Sequence, residues 1–580
     1  MSVTTNPDVR LRVVFGFVCF VAFAIVIRLF VLMVLQHKSY LLLAEKSHGG
    51  FSELFPSRGS IYIQDSRTGE EYPLAINRDF FTVYADTREI KDDQTAENVA
   101  EKMAEIFGYD DEAKLALYYK INKRDDPYEP IEKKVDEETV DKLRGLELQG
   151  IGYVRKAERY YPENNLASHV VGFLGKDEAG QNTGQYGIEG YWDTTLRGTG
   201  GFFSGDRSAG GGIINVIKSS FKSPEDGPDI LLTIDRTLQY MACERLRNAM
   251  AEYKASSASL IILDPFSGAI RAMCSLPDFD PNIYNEVESI KIYNNTTIFT
   301  PYEPGSIFKP IPMSAAINEG LLKPETEFFD SGSVDAGCSK SIKNAGNKSY
   351  QQQNMIGVLE NSINTGMVFV AEKLGKKKLS EYIVDFGFGI KEGIELDSEI
   401  TGNIDTLNKN MDRDFDCYAA TASFGQGITA TPLQMASAFG AIANGGVLIK
   451  PYIVEELRYP NGKLEKTKVK EIRKVLDKRT TSLVGGMLVN VIDSGQARRA
   501  GVKGYYVAGK TGTAQIAGAG GYTEDTNHSF VGFAPVDDPK FVMIVKFEKP
   551  EVVYSASTAA PVFGDIAKFA LQYYQVPPAR

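Results

Sequence analysis

Histidine and cysteine are scarce in this 580-residue sequence, and it has no excess of positive charge. Its four histidines lie far apart without metal-ligand spacing, so a zinc site is not expected. Its five cysteines contain no C-x-x-C pair and no dense framework, and they neither require nor exclude one disulfide bond. The net charge of −11 argues against nucleic acid as the main ligand, because a phosphate-binding protein needs a basic surface.

A long apolar run stands near the N-terminus. Val13 to Leu35 is apolar except for Gly16 and Arg28, and about 20 such residues cross a hydrocarbon layer. We predict a single transmembrane helix, because the run is too long for a cleaved signal peptide and no A-x-A-like site follows it. Arg10 and Arg12 favour a cytoplasmic tail with the bulk of the chain outside. Arg28 either extends to the interface or contacts a partner in the membrane.

The next segment alternates short β-type runs, such as Ile61–Ile63 and 82–85, with charged helical patterns over 96–107 and 137–146. The glycine-rich stretch 198–212 predicts a mobile loop or hairpin tip. No internal repeat is visible. We interpret this segment as an extended α+β pedestal without catalytic residues.

A second domain is predicted to begin near residue 230. Ile230–Ile234 is a strand pattern, and Asp235 can cap the helix that follows it. Residues 259–265 and 268–273 then predict a hairpin of buried strands. This order suits an α/β sandwich in which helices flank an antiparallel sheet, and 580 residues are enough for this domain and the pedestal.

The candidate nucleophile is Ser306, in the stretch Glu303-Pro304-Gly305-Ser306-Ile307-Phe308-Lys309-Pro310. Positions i and i+3 share a helix face, so the Lys309 amine can reach the serine oxygen. A lysine kept neutral by burial or by a nearby cation can accept the serine proton. The Ser306 N–H at the helix start can stabilise an oxyanion. Alone, an S-x-x-K pattern is a weak signal.

Two further motifs follow in the order that such chemistry needs. Ser362 in Ser362-Ile363-Asn364 can relay a proton to a leaving amine, and Asn364 can hold both substrate and lysine. In the second motif, Lys510-Thr511-Gly512-Thr513, the Lys510 charge helps to lower the pKa of Lys309.

The Lys510 motif also predicts substrate contacts. Residues 505–508 predict a strand leading into it, and Gly512 leaves the strand edge clear for a peptide. Thr511 or Thr513 can bind a substrate carboxylate. The Thr513 N–H can be a second oxyanion donor, a kind of group worth roughly 10²- to 10³-fold in rate.

These three motifs together match the set of penicillin-binding proteins and serine β-lactamases. Further matching stretches are Arg58-Gly59, Arg159-Tyr160-Tyr161-Pro162, Gly187-Ile188-Glu189, Leu232-Thr233-Ile234-Asp235, Pro281-Asn282, Phe424-Gly425-Gln426-Gly427, Ala443-Asn444-Gly445-Gly446 and Gly509 to Gln515. Nearly the whole chain thus resembles a class B penicillin-binding protein, and Glu303-Pro304-Gly305 is more similar to the division-type, FtsI-like branch than to the elongation branch. One departure is an insertion in the usual R-G-x-I-x-D-R-x-G, which here spans residues 58–67.

The resemblance implies a monofunctional DD-transpeptidase that needs neither metal nor cofactor. Ser306 would attack the penultimate D-Ala carbonyl of a peptidoglycan stem peptide, and an amine of a neighbouring stem would resolve the acyl-enzyme. β-Lactam antibiotics would acylate the same serine. The implied catalytic residues are Ser306, Lys309, Ser362 and Lys510, and the implied substrate-binding residues are Asn364, Thr511, Gly512 and Thr513.

The resemblance also implies a single-pass protein of the cytoplasmic membrane with an extracytoplasmic, periplasmic catalytic domain. Expected partners are a SEDS-type membrane glycosyltransferase and divisome proteins. The expected organisation is a cytoplasmic tail (1–12), a transmembrane helix (13–35), a pedestal domain of the class B dimerisation type (36–230) and a transpeptidase domain (231–576).

Several alternatives remain open at this point. Residues 504–511 satisfy the phosphate-loop pattern G-x-x-x-x-G-K-T, which would require a preceding strand and a helix starting at the lysine. Glu399 and Asn403 form an E-x-x-x-N, which suggests a β-lactamase or β-lactam sensor, although we expect the Glu399 carboxylate to serve the turn at Gly402. An elongation-type transpeptidase and an inactive scaffold of a cell-wall synthesis complex are further alternatives.

Overall fold

The computed structural model describes residues 49–207, 213–410, 412–518 and 521–579. The predicted tail and transmembrane helix, 1–35, lie outside these residues. Within the described ranges, no helix is both long and apolar enough to cross a bilayer. The chain forms two compact units, whose boundaries fall after Arg58, Leu196 and Gly227.

The secondary structure alternates strands and helices along most of the described chain. The strands are β1 (Gly49–Leu54), β2 (Ile61–Gln64), β3 (Glu71–Ala85), β4 (Glu129–Val135), β5 (Ile151–Tyr160), β6 (Phe173–Lys176), β7 (Asn182–Gln185), β8 (Gly201–Arg207), β9 (Ile213–Lys222), β10 (Asp229–Asp235), β11 (Ser257–Leu263), β12 (Ile270–Leu276), β13 (Glu327–Asp330), β14 (Ser333–Val334), β15 (Ile342–Lys343), β16 (Gln351–Asn354), β17 (Val447–Ile449), β18 (Val454–Arg458), β19 (Leu464–Lys466), β20 (Glu471–Lys474), β21 (Ala508–Gly518), β22 (Gly521–Ala534) and β23 (Phe541–Glu548). The α-helices are α1 (Asp93–Phe107), α2 (Asp111–Ile121), α3 (Glu137–Gly145), α4 (Ser168–Val171), α5 (Gly187–Tyr191), α6 (Asp193–Leu196), α7 (Arg236–Glu252), α8 (Thr296–Phe299), α9 (Pro310–Asn318), α10 (Met355–Glu360), α11 (Asn364–Leu374), α12 (Lys376–Asp385), α13 (Cys417–Ala422), α14 (Pro432–Ala443), α15 (Lys478–Asp493) and α16 (Ala559–Tyr573).

The first unit is built on a three-stranded antiparallel sheet in the order β1-β8-β9. The glycine-rich stretch 198–212 was expected to be a mobile loop or hairpin tip. Most of its described part, from Gly201, is strand β8, which excludes a loop there. Because β8 pairs antiparallel with β9, the hairpin alternative agrees with the structure, while residues 208–212 lie outside the described part.

The pedestal part of the second unit holds its own small core. Helices α1 and α3 confirm the two predicted helical patterns, whereas α2 was not predicted. Each of these helices begins at an aspartate, Asp92, Asp110 or Asp136, whose side chain accepts a backbone N–H of the first turn. Their apolar faces pack against β3, where Phe81 and Val83 are buried.

Strand β10 connects the pedestal part to the catalytic part. It pairs in parallel with β2 and antiparallel with β18, within a sheet of order β19-β18-β10-β2-β3-β4 to which β5 adds beside β3. As predicted, Asp235 caps the next helix, α7, by accepting the Leu238 N–H. The expected domain boundary between residues 230 and 231 falls inside β10.

The central sheet of the catalytic part has the order β12-β11-β23-β22-β21, with every neighbouring pair antiparallel. This confirms the predicted antiparallel sheet and the β11–β12 hairpin. Phe530 packs on Phe563 of α16 on one face. On the other face, the Lys546 amine lies 4.9 Å from the centre of the ring of Tyr302, a residue that shortly precedes the candidate nucleophile in the chain. Helices thus cover both faces of the sheet, as in the predicted sandwich.

Two disulfide bonds join parts of the catalytic region, where the sequence left even one undecided. Cys243 of α7 is bonded to Cys274 of β12. Cys338, in the segment between β14 and β15, is bonded to Cys417, the first residue of α13.

Candidate active site

Ser306 lies in a turn of 3-10 helix, Gly305–Phe308, that leads directly into the buried helix α9. Gly305 has φ +57°, a left-handed conformation that favours glycine. Pro310 takes the first helical position, where no N–H partner is lost. Ser306 itself is half-buried and stands at the start of a helical segment, as predicted.

Lys309 is fully buried, and its amine points at the second motif. The Nζ atom lies within hydrogen-bond distance of Ser362 O at 2.6 Å, Asn364 Oδ1 at 2.8 Å and Ser362 Oγ at 3.2 Å. Among the described residues, the Lys309 amine makes no hydrogen bond to the Ser306 hydroxyl, and the two residues are joined only by the Lys309 backbone N–H, which donates to Ser306 O at 3.4 Å. Burial, assisted by the Lys510 charge, lowers the pKa of Lys309 well below its ordinary value. This lowering favours the neutral form of the amine, which is the direction that the sequence predicted.

Lys510 lies on β21 and is also fully buried. Its amine donates to Ser362 Oγ at 3.1 Å and to Thr511 O at 3.2 Å. Burial lowers the pKa of Lys510 to about 7. The Ser362 hydroxyl therefore lies between two buried amines, where it can exchange a proton with either.

The Ser362–Asn364 turn is held by residues that the sequence did not point to. Ser362 has φ +56°, which is strained for a residue with a side chain and typical of functional sites. Asn344 accepts the Asn364 N–H at 2.9 Å and donates to Asp330 at 2.8 Å. Asp330 also accepts the Thr365 hydroxyl at 2.6 Å. No motif reveals Asn344 and Asp330, because their importance lies only in contacts with the turn.

The Lys510 motif occupies the edge strand of the central sheet, as predicted, but the strand begins only at Ala508. We expected glycine at position 512 because it leaves the strand edge clear for a peptide, but the structure gives a different reason for glycine there. A Cβ on this residue would lie 3.0 Å from Pro304 O and 3.0 Å from Ile307 Cγ2, so glycine allows the nucleophile turn to approach β21. Thr511 is buried, whereas Thr513 is exposed and donates its hydroxyl to Ser555 Oγ at 3.0 Å.

The structure argues against two of the alternatives, the phosphate loop and the β-lactamase. Lys510 lies inside a strand rather than at a helix start, which excludes a phosphate loop. The Glu399 carboxylate accepts the N–H groups of Glu392 at 2.7 Å and Gly393 at 3.0 Å. Our expectation that Glu399 serves the turn at Gly402 is wrong, because the Gly402 N–H donates to the Gln434 side chain. Both Glu399 oxygens are thus occupied by backbone donors, which disfavours a water-activating role.

Two family models match the chain over most of its length. The penicillin-binding protein transpeptidase domain matches residues 258–568, and the penicillin-binding protein dimerisation domain matches residues 53–232. The chain belongs to the penicillin-binding protein family. The first match contains all eight candidate site residues, and the second covers the predicted pedestal from residue 53 onward.

This penicillin-binding protein is similar to its relatives over nearly the whole of its chain. Stage V sporulation protein D of Bacillus subtilis is 34% identical over 90% of this chain and 79% of that protein. The peptidoglycan D,D-transpeptidase FtsI homolog of Mesostigma viride is 28% identical over 87% of each chain.

Solved structures share the fold. A peptidoglycan synthetase of Bifidobacterium adolescentis superposes with a TM-score of 0.70 at 26% identity, over 92% of this chain and 98% of that one. Penicillin-binding protein 3 of Mycobacterium tuberculosis, complexed with aztreonam, superposes with a TM-score of 0.68 at 24% identity, over 91% and 98% of the two chains.

Proposed function

We propose that this penicillin-binding protein is a serine-type D,D-transpeptidase that cross-links peptidoglycan stem peptides through a Ser306 acyl-enzyme. The observation that carries this proposal is the Ser362 hydroxyl, held between the buried amines of Lys309 and Lys510 beside the nucleophile turn. The relatives named as peptidoglycan D,D-transpeptidases support it.

Acylation begins with neutral Lys309 as the base. Its amine moves from the Ser362–Asn364 turn to Ser306 when substrate binds, since catalytic hydrogen bonds often tighten only in the complex. Lys309 takes the Ser306 proton as Oγ bonds to the penultimate D-Ala carbonyl carbon. The carbonyl electron pair moves to oxygen, which the N–H groups of Ser306 and Thr513 stabilise.

The tetrahedral intermediate then collapses. The C–N bond breaks, and the leaving D-Ala nitrogen receives a proton from Ser362 Oγ, which Lys309 reprotonates. An acceptor amine next attacks the ester carbonyl and loses its proton through the same pair. The Ser306 oxygen leaves with a proton from Lys309, which restores the free enzyme. These transfers balance without any metal or cofactor.

Substrate binding involves the residues around this relay. Asn364 contacts the substrate backbone while it holds Lys309, and β21 offers its free edge to the stem peptide. The exposed Thr513 hydroxyl turns its proton from Ser555 Oγ to the terminal carboxylate when substrate binds. Thr511, whose side chain is buried, shapes the strand, and Gly512 lets β21 pack on the nucleophile turn.

The proposed location is the outer side of the cytoplasmic membrane, with residues 13–35 as a single transmembrane anchor. The two disulfide bonds support an extracytoplasmic, oxidising compartment. In this compartment, the anchor would contact a SEDS-type glycosyltransferase, and the catalytic part would contact divisome proteins. We propose a role in septal wall synthesis. Sporulation is a second candidate, favoured by the 34% identity to stage V sporulation protein D.

Labelling of membranes with a fluorescent penicillin tests the proposed reaction. The wild-type chain should be labelled, Ser306→Ala should not, and Ser482→Ala, which changes an exposed serine of α15, should be labelled like wild type. Absence of label on the wild-type chain, or persistence of label in Ser306→Ala, would contradict the proposal. Depletion in growing and in sporulating cells separates the two physiological roles.

A further inference from the structure

Glu303 lies three residues before Ser306 and contacts two distant parts of the chain with one carboxylate. Its Oε1 atom accepts the Gly427 N–H at 3.0 Å, and its Oε2 atom accepts the Tyr522 hydroxyl at 2.8 Å. Gly427 belongs to the loop 424–427, part of the connection between α13 and α14, and Tyr522 belongs to the β21–β22 hairpin. Glu303 therefore connects the nucleophile turn to both segments.

These three segments are packed with almost no free space between them. The Gly305 N–H donates to Gly425 O at 3.0 Å, and a Cβ on Gly425 would lie only 2.3 Å from Gly305 O. On the opposite side, a Cβ on Gly305 would lie 3.0 Å from Ala514 Cβ of β21. A shift of the loop or of the hairpin is therefore transmitted directly to the turn that carries Ser306.

The oxyanion donors come from two of these segments. The Ser306 N–H belongs to the nucleophile turn, and the Thr513 N–H belongs to β21. They are far apart in sequence, so only tertiary contacts set the distance between them. A catalytic constellation has to be held within about 0.5 Å of its productive geometry.

We propose that Glu303 is a positioning residue, which clasps the nucleophile turn, the 424–427 loop and the β21–β22 hairpin and so sets the separation of the two oxyanion donors. This inference rests on the proposed function. Burial raises the pKa of Glu303, while its two donors favour the charged form. Both carboxylate oxygens are already used by protein donors, so the geometry favours positioning over proton transfer.

The test separates binding from chemistry in the full-length protein. Stopped-flow measurements with a fluorescent penicillin give the dissociation constant of the initial complex and the acylation rate constant. For Glu303→Ala we expect the rate constant to fall about tenfold, equivalent to about 1.4 kcal/mol, with little change in the dissociation constant. Tyr522→Phe, which loses only the hairpin contact, should show a smaller fall.

Two further variants identify the clasp as the cause. Glu303→Gln should retain most of the rate, because its amide can accept from Gly427 and donate to the Tyr522 oxygen. Glu303→Ala combined with Tyr522→Phe should be no slower than Glu303→Ala alone, since the hydroxyl acts through the carboxylate. Tyr119→Phe, which removes an exposed phenol of α2, is the matched control and should behave like wild type.

The outcomes are distinct. A wild-type acylation rate constant in Glu303→Ala overturns the inference, and so does a Glu303→Gln variant as slow as the alanine variant, which would indicate a need for charge. A larger dissociation constant in Glu303→Ala with an unchanged acylation rate constant would also overturn it, because it would indicate that Glu303 contacts the substrate. If Glu303→Ala melts at a lower temperature, the Tyr522→Phe variant provides the test instead. An unchanged acylation rate constant in Tyr522→Phe would then reject the positioning role of Glu303. If the wild-type chain is not acylated at all, the proposed function itself fails and this inference falls with it.

Discussion

Adding a single methyl group at Gly512 should slow acylation and lower the melting temperature without preventing folding. A Cβ at this position would lie 2.8 Å from Ser529 Oγ, 3.0 Å from Ile307 Cγ2 and 3.0 Å from Pro304 O, whereas ordinary contacts begin near 3.4 Å. The neighbours must therefore retreat by about 0.4 to 0.6 Å in Gly512→Ala, in a region that is close-packed. Two of the three neighbours belong to the segment that carries the nucleophile.

The expected magnitude follows from this displacement. Overpacking of this kind costs about 1–3 kcal/mol. Much of the strain should be relieved by moving the nucleophile turn away from β21, which separates the two oxyanion donors. Because a misplacement of about 1 Å can cost about 10²-fold in rate, we expect the acylation rate constant to fall by about 10- to 100-fold. The melting temperature should fall by roughly 2–12 °C, since each kcal/mol shifts it by about 2–4 °C in a large domain.

The assay is the time course of penicillin acylation followed by intact mass, with thermal melting in parallel. Gly486→Ala is the matched control, because Gly486 lies on α15 and an added Cβ would meet nothing within 4 Å. Ser529→Ala in the Gly512→Ala background removes the nearest atom and should restore part of the rate. Acylation of Gly512→Ala at the wild-type rate would show that β21 does not pack on the nucleophile turn as described.

Three further perturbations address the relay, one addresses Glu399 and one addresses the N-terminus. Lys309→Arg should be unreactive although the charge is kept, because a guanidinium cannot act as a base; adduct formation near the wild-type rate, read by intact mass, would rule out the neutral lysine. The acylation rate constant should fall as pH falls through the lowered pKa of Lys309, since protonation removes the base. In Lys510→Met this acid limb should move to higher pH, because the Lys510 charge helps to lower that pKa; a pH profile of unchanged shape would contradict this. Glu399→Gln should leave the lifetime of the penicillin adduct unchanged over hours, whereas a lifetime that depends on this residue would identify a β-lactamase. A chain truncated to begin at Lys38 should still bind penicillin, and a folded but unreactive product would refute the independence of the catalytic part from the anchor.

Much of the site could be read from local sequence rules. The spacing of Ser306 and Lys309 predicted a nucleophile and a base on one helix start, and the structure has that helix start. The order of the three motifs predicted that Ser362 and Lys510 would join them, and both lie within hydrogen-bond distance of each other. Caps such as Asp235 and the β11–β12 hairpin were equally local, because turn and cap preferences depend on a few adjacent residues.

Other parts of the site could not be read in this way. Asn344 and Asp330 support the Ser362–Asn364 turn, yet nothing in their own neighbourhoods distinguishes them from loop residues. The Glu303–Tyr522 contact joins residues separated by 219 positions. The disulfide pairings were equally hidden, since cysteine spacing alone does not define connectivity.

By itself, the sequence indicated the class of chemistry and the α/β sandwich that carries it, and it predicted which side chains would form the relay. The tertiary structure decided how that chemistry is tuned. It buried both amines, which lowers the pKa of Lys309, and it placed Gly512 against the nucleophile turn. The physical reason is that helix spacing, caps and turns depend on neighbours in the chain, whereas burial and close approach depend on which distant segments pack together.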